Sequence, residues 1–255
     1  MGTVLFVTLM LQKELSPLFH LNFLNQAIII ILLFEKGAVI IMQLFYTASF
    51  QDENRMINEI LKSEFNFSTR LLTKLIKLKK IYLNNNPVDT RISVKSNDII
   101  TIDFNYEEDN SNIVPTKMSL DIIYEDEWIL VLNKPDGIPI HPSQMHFSDS
   151  LSNGVRYYFD SINLHKKIRP VNRLDLHTSG LVIFAKCEYI QESFIHQMSK
   201  NIFNKSYICL IQGFLNQNSG TINLPIARKP GSIIERCIDK NRSKFYYSLP
   251  SIKGI

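Results

Sequence analysis

Apolar positions along the chain recur with two periods, and together they mark out most of its elements. Leu71, Leu72, Leu75, Ile76 and Leu78 repeat at helical spacing, because residues three and four apart share one helix face. A helix is predicted there. Ser68 or Thr69 supplies a hydroxyl to accept from the free amides of its first turn. Its polar side carries Arg70, Lys74 and Lys77 at i, i+4 and i+7, a single cationic stripe, which Lys79 and Lys80 extend. A tight turn is marked by Asn84 to Pro87, and alternation over Arg91–Lys95 and Ile99–Phe104 predicts two strands. Farther along, Trp128–Leu132 and Leu181–Ala185 are short apolar runs of strand length. Residues 149–160 form a predicted helix with Leu151, Val155 and Tyr158 inward. Glu188–Lys200 forms another, with Ile190, Phe194 and Met198 as its core stripe. Lys205–Gly213 reads as a buried strand ending at a turn.

Polarity shifts divide the chain. Residues 44–104 make a first block, and residues 105–119, NYEEDNSNIVPTKMS, are acidic and polar with one proline, the composition of a linker. A second block runs from 120 to 255. Ahead of both lies an apolar extension, residues 1–43, that includes AIIIILLF at 27–34. Glu35 and Lys36 interrupt it, and a spanning helix needs ~20 mostly apolar residues. The start MGTVLFV has no basic region of the kind a secretory signal carries. The expectation is that the native protein begins at Met42; membrane tethering through residues 18–42 is the alternative.

Composition adds little and excludes some chemistry. The 255 residues are 45% hydrophobic and 20% charged, with net charge +4. That is a globular balance that permits a nucleic-acid partner without requiring one. The three cysteines, Cys187, Cys209 and Cys237, form no C-x-x-C pair. Neither a disulfide framework nor a zinc site is expected, and a reducing, cytoplasmic setting fits. His141 and His146 are separated by Pro142, which keeps them off one helix face. No metal is expected.

The stretch RPVNRLDLHTSGLVIFAK, Arg169 to Lys186, carries the most chemistry. Asp175 lies two residues from Arg173, so both side chains point the same way in an extended segment. Ser179-Gly180 is expected to turn the chain sharply into the strand at Leu181. A loop braced by a strand end suits a reactive side chain. A carboxylate kept ionised by a nearby guanidinium can act as nucleophile or base. A structural Arg–Asp pair pinning the loop fits the spacing as well.

Three ordered motifs resemble the RluA-type RNA pseudouridine synthases. They are Arg173-Leu-Asp-Leu-His-Thr-Ser-Gly-Leu181 followed by Phe184-Ala-Lys186, Tyr124-Glu-Asp with Val131-Leu-Asn-Lys-Pro-Asp-Gly-Ile-Pro-Ile-His-Pro142, and Lys205-Ser-Tyr207 with Gly213. The first block resembles the small αL RNA-binding domain first seen in a ribosomal small-subunit protein. It does so through its basic helix, Ile81-Tyr-Leu-Asn84 and Asn97-Asp-Ile99. The resemblance spans roughly residues 44–240. It implies that Asp175 is catalytic in converting uridine in ribosomal or transfer RNA to pseudouridine, without metal or organic cofactor. It further implies that Arg173 fills the gap left by the flipped uridine and that Tyr207 stacks on the uracil. Arg70, Lys74 and Lys77 would contact RNA phosphates. Lys134, His141 and Thr178 would be structural or phosphate-side residues.

The expected fold is α+β: an αL-type domain at 44–104, a linker at 105–119, and a partial mixed or antiparallel-sheet catalytic domain at 120–255. The family's arginine motif of the G-R-T-H-Q-I-R type is not found before Ile255. A C-terminally truncated catalytic domain is therefore expected, acting as a cytoplasmic monomer on RNA. A non-catalytic RNA-binding remnant is the alternative.

Overall fold

The computed structural model describes residues 5–7, 42–209, 213, 219–232, 235–239 and 246–253. The chain falls into two units, Met1–Cys209 and Leu210–Ile255. In the first, β1 (Leu5–Val7) precedes β2 (Gln43–Thr47), a 3-10 turn at Phe50–Asp52, α1 (Ile57–Phe65) and α2 (Thr69–Lys77). Then come β3 (Ile81–Leu83), β4 (Asn86–Pro87), β5 (Ile99–Asp103), β6 (Ile122–Glu125) and β7 (Ile129–Lys134). The unit ends with α3 (Leu151–Ser161), β8 (Arg169–Pro170), β9 (Thr178–Ala185), α4 (Glu188–Ser199) and β10 (Tyr207–Cys209). In the second unit β11 (Ser219–Arg228) lies between β12 (Arg236–Ile238) and β13 (Tyr246–Lys253), antiparallel to both.

The fold is α+β, with sheets that are largely antiparallel. A four-stranded sheet ordered β2-β5-β3-β4 backs α1 and α2. The larger sheet is ordered β10-β1-β9-β7-β6, with β8 also on β9. Its one parallel contact is β1 with β9. Ser68 is the cap of α2, its hydroxyl accepting from Leu71 N at 3.1 Å. Ser150 caps α3 in the same way. Asn84 and Asn85 close the β3–β4 turn with φ of 50° and 67°. Asparagine tolerates this left-handed region, so the turn forms without glycine.

Two local expectations are corrected. Arg91–Lys95 is not a strand. Asp89 holds the Arg91 amide at 2.9 Å and its guanidinium at 2.9 and 3.0 Å. The carbonyls of Ile92 and Val94 accept from Ile57 and Asn54 around the start of α1, outside any sheet ladder. The sharp turn before β9 lies at Asp175–Thr178, closed by Thr178 N donating to Asp175 O at 3.0 Å. It precedes the Ser179-Gly180 position expected from sequence, and β9 begins at Thr178.

One core joins the two sheets of the first unit. Tyr46, Phe65, Phe67, Tyr189, Phe104 and Trp128 touch in succession. Phe104 stacks on Tyr189 at 5.8 Å and meets Trp128 edge-on at 6.0 Å. Residues 105–119 have no regular structure but are tied down. Asn110 bonds to Lys166 O and Ile168 N, and Val114 O accepts from Asn153 Nδ2 at 2.7 Å. Glu108 receives both Arg169 nitrogens at 2.6 and 2.7 Å and Lys74 Nζ at 2.7 Å. Among the described residues, no helix is long and apolar enough to cross a membrane. Of the candidate tether, residues 18–42, all but Met42 lie outside the described residues.

Candidate active site

The loop that carries Asp175 is built by alternation. Asn172 and Leu174 are buried while Arg173, Asp175 and His177 are exposed, the period-two pattern of an extended segment. The buried half anchors the loop. Asn172 Nδ2 donates to Leu181 O at 2.9 Å, and Asn172 Oδ1 accepts from Ile183 N at 2.9 Å. Val171 N adds a bond to Ile183 O at 2.7 Å. The β9 edge away from β7 is thereby filled by three devices in turn: β1 opposite Thr178–Gly180, the Asn172 amide opposite Leu181–Ile183, and β8 opposite Phe184–Ala185.

A second loop braces the first from below. Lys134, at the end of β7 and opposite Gly180, is fully buried. Its ammonium donates to the carbonyls of Pro135, Ile138 and Leu176 at 2.9, 2.8 and 3.0 Å. All three of its donors are thus used, as a buried ammonium requires. Gly137 N also donates to Leu176 O at 3.0 Å, and His177 Nδ1 lies 3.3 Å from Asp136. Gly137 holds φ at 77°, which suits glycine at this tight approach of two loops. Burial lowers the Lys134 pKa, opposed by the charges of Asp136 and Asp175.

Tyr207 lies level with the start of β9. It pairs with Val7 of β1, and Val7 pairs with Gly180, so two strand spacings, about 9.6 Å, separate Tyr207 from Gly180 in the sheet. The residue is 40% exposed. Its hydroxyl pKa is raised by burial and by the negative charge of Asp175. Arg173 makes no ion pair with Asp175 among the described residues. Its charge is felt by His141, whose pKa is lowered by burial and then by that guanidinium. Asp175, Arg173, Tyr207 and His141 are therefore exposed around the head of β9, with Lys134 buried beneath them. An ionisable carboxylate, a guanidinium and an accessible aromatic face together suit a flat, polar ligand.

The cationic stripe of α2 lies elsewhere, and its members differ. Arg70 and Lys77 are exposed. Lys74 is turned into the protein, 2.7 Å from Glu108 and 2.9 Å from Glu188, and 4.7 Å from the centre of the Tyr106 ring. Glu188 opens α4, and Arg169 stands opposite Ala185 at the far end of β9 from Asp175. Sequence reasoning passed over Asn172, Glu108 and Arg169. Their neighbours in the sequence, an acidic stretch for Glu108 and a basic, proline-containing one for Arg169 and Asn172, gave no signal of these contacts. Among the described residues no cluster of His, Cys, Asp or Glu is arranged to hold a metal ion. Cys187 is buried and its thiol pKa is pushed up to about 12.

Fold and site thus define an α+β protein with a braced aspartate loop at a strand head, beside an aromatic strand residue. Residues 128–250 match the family described as RNA pseudouridylate synthase. The uncharacterized RNA pseudouridine synthase YjbO of Bacillus subtilis (strain 168) is 31% identical over 183 residues, covering 71% of this chain and 64% of that protein. Ribosomal large subunit pseudouridine synthase D of Neisseria meningitidis serogroup B is 29% identical over 174 residues, covering 68% and 46%. The protein of the same name from Borreliella burgdorferi is 34% identical over 157 residues, covering 59% and 48%. The chain is similar to RNA pseudouridylate synthases over residues 128–250. It spans about half to two thirds of the length of these relatives.

Proposed function

We propose that this chain isomerises uridine in RNA to pseudouridine, with Asp175 as the catalytic carboxylate. The uracil N1–C1′ bond is broken and a C5–C1′ bond made, with the C5 proton lost and a proton gained at N1. The observation that carries this reading is the placement of Asp175. It is exposed at the tip of a loop held by Asn172 and Lys134, and its charge reaches the accessible Tyr207. Arg173, exposed on the same side, would occupy the gap left by the extruded nucleotide, and Tyr207 would stack on its uracil. Ribosomal RNA is the favoured substrate class, because the relatives with a stated substrate are named for the large ribosomal subunit. Transfer RNA is the second candidate.

Residues 44–104 would serve as an αL-type RNA-binding block, with residues 120–255 as the catalytic part. Arg70 and Lys77 support this, being exposed on one face of α2. Lys74 would position that helix through Glu108 and Glu188. The protein is proposed to work as a cytoplasmic monomer without metal or organic cofactor. The test is uridine isomerisation on folded ribosomal RNA fragments by the full chain, with Asp175→Ala alongside. Product from the wild type and none from the variant is expected. Equal product from both overturns the assignment of Asp175, and no product from either, with RNA still bound, favours a binding protein.

A further inference from the structure

Beyond the Lys134 turn the chain enters a loop, residues 141–149, that the proposed reaction leaves without a role. Its base is fixed. Pro139 O accepts from Leu151 N at 2.8 Å, and Ile140 O accepts from Ser152 N and Oγ at 3.0 and 2.6 Å. Ile140 itself is buried in the core. Its tip is fixed as well. Ser143 and His146 exchange two backbone bonds of 3.1 Å, Asn153 Nδ2 donates to Phe147 O at 3.2 Å, and His146 Nδ1 lies 2.9 Å from Asp149. A loop free to collapse would lay its apolar side chains on the surface. This one holds them out: Met145 is 89% exposed and Phe147 64%. Apolar area presented to water on a pinned backbone is a mark of a contact surface.

Its location says what touches it. Lys134 Nζ joins Ile138 O to Leu176 O, so the loop at 139–149 and the loop of Asp175 spring from one shared base. His141, at the loop's start, lies within the field of Arg173. The pair is far smaller than the roughly 800 Å² per partner of a stable protein interface. It rises from the same Lys134 base as the loop that carries Arg173 and Asp175, and an aromatic face beside a guanidinium suits single-stranded nucleotides. We propose that residues 141–149 form a second wall of the RNA cleft, in which Phe147 stacks on a nucleobase flanking the target uridine and Met145 packs beside it. This rests on the RNA reading above.

The test uses the intact chain and a readout independent of turnover. Trp128 is the chain's only tryptophan and is 2% exposed, so Phe147→Trp introduces a single exposed fluorophore. Titration with folded ribosomal RNA is expected to quench its emission, while wild-type emission stays nearly constant. Phe147→Ala is expected to raise KM about tenfold with kcat little changed, and Phe147→Tyr to restore it, since one base–aromatic stack accounts for an effect of that order. Product formation by Phe147→Trp with unperturbed emission overturns this inference and leaves the assignment of Asp175 standing. Quenching by RNA with no product from the wild type supports the wall and overturns the catalytic reading. Emission that changes with protein concentration alone, without RNA, assigns the patch to a second copy of this chain and overturns the proposal.

Discussion

Replacing Glu108 by glutamine tests whether the two sheets of the first unit are held together by a buried charge cluster. Glu108 and Arg169 side chains are each 5% exposed and meet through two bonds of 2.6 and 2.7 Å, with Lys74 at 2.7 Å from the same carboxylate. Glutamine keeps the shape and removes the charge. Glu188 is then the one carboxylate left to each among the described residues, at 3.5 Å from Arg169 and 2.9 Å from Lys74. Stranding a buried charge costs about 3–5 kcal/mol; with Glu188 still present, about 2–3 kcal/mol is expected. The pH dependence supplies a second route. Burial resists ionisation of Glu108, but Arg169 and Lys74 together hold its pKa at about 2 against an ordinary 4.5. A shift of that size is an upper bound of about 3 kcal/mol, which solvent access to Lys74 reduces to about 2. A depressed carboxylate pKa stabilises above the unfolded-state value, and that contribution is lost as pH falls toward about 2. Urea unfolding of wild type and Glu108→Gln is therefore expected to show a stability gap at neutral pH. The gap should be constant down to about pH 5 and close between there and about pH 2. A gap below about 0.5 kcal/mol at neutral pH, or one that does not narrow in acid, refutes the cluster's role.

The other predictions concern the site and the RNA surface. Asn172→Ala removes the two bonds that fill the edge of β9 and is expected to destabilise by about 2–3 kcal/mol in thermal unfolding, since Ile183 N and Leu181 O lose their partners. Lys134→Met strips the shared base of both loops. Single-turnover isomerisation is expected to slow on the order of 100-fold through loss of alignment of Asp175, with RNA affinity nearly unchanged in filter binding. Arg70→Gln with Lys77→Gln is expected to lower the slope of log affinity against log salt by about 2. Lys74→Gln should leave that slope unchanged and lower stability, because its ammonium faces Glu108 and Glu188.

Local features were the legible ones. The α2 helix could be read because its cap, Ser68, and its apolar face lie within ten residues of each other, and helical hydrogen bonds are local. The exposure of Asp175 could be read from alternation around Leu174. Arg91–Lys95 carried the same alternation and is not a strand, since period two describes any extended segment and Asp89 diverts this one into a turn. The Glu108–Arg169 pair spans 61 positions, and nothing in either neighbourhood announces the other. The acidic stretch that looked like a linker is acidic partly because one of its carboxylates belongs in the interior. Lys74 misled in the opposite direction: periodicity gives its face on the helix but not what packs there. The brace under Asp175 was half visible as the Lys-Pro-Asp-Gly turn; its destination, Leu176 O, was not.

Phe104 closes the first small sheet and also lies flat against Tyr189, which belongs to the last helix of the larger one. The opening block can therefore not be exchanged between homologues like a bead on a string. A transplanted replacement would need its own aromatic at that place, or leave a hole under the sheet that carries the reactive loop. Grafting and recombination experiments have to cut outside this shared interior, and drift in the leading segment is policed by residues encoded nearly a hundred codons downstream.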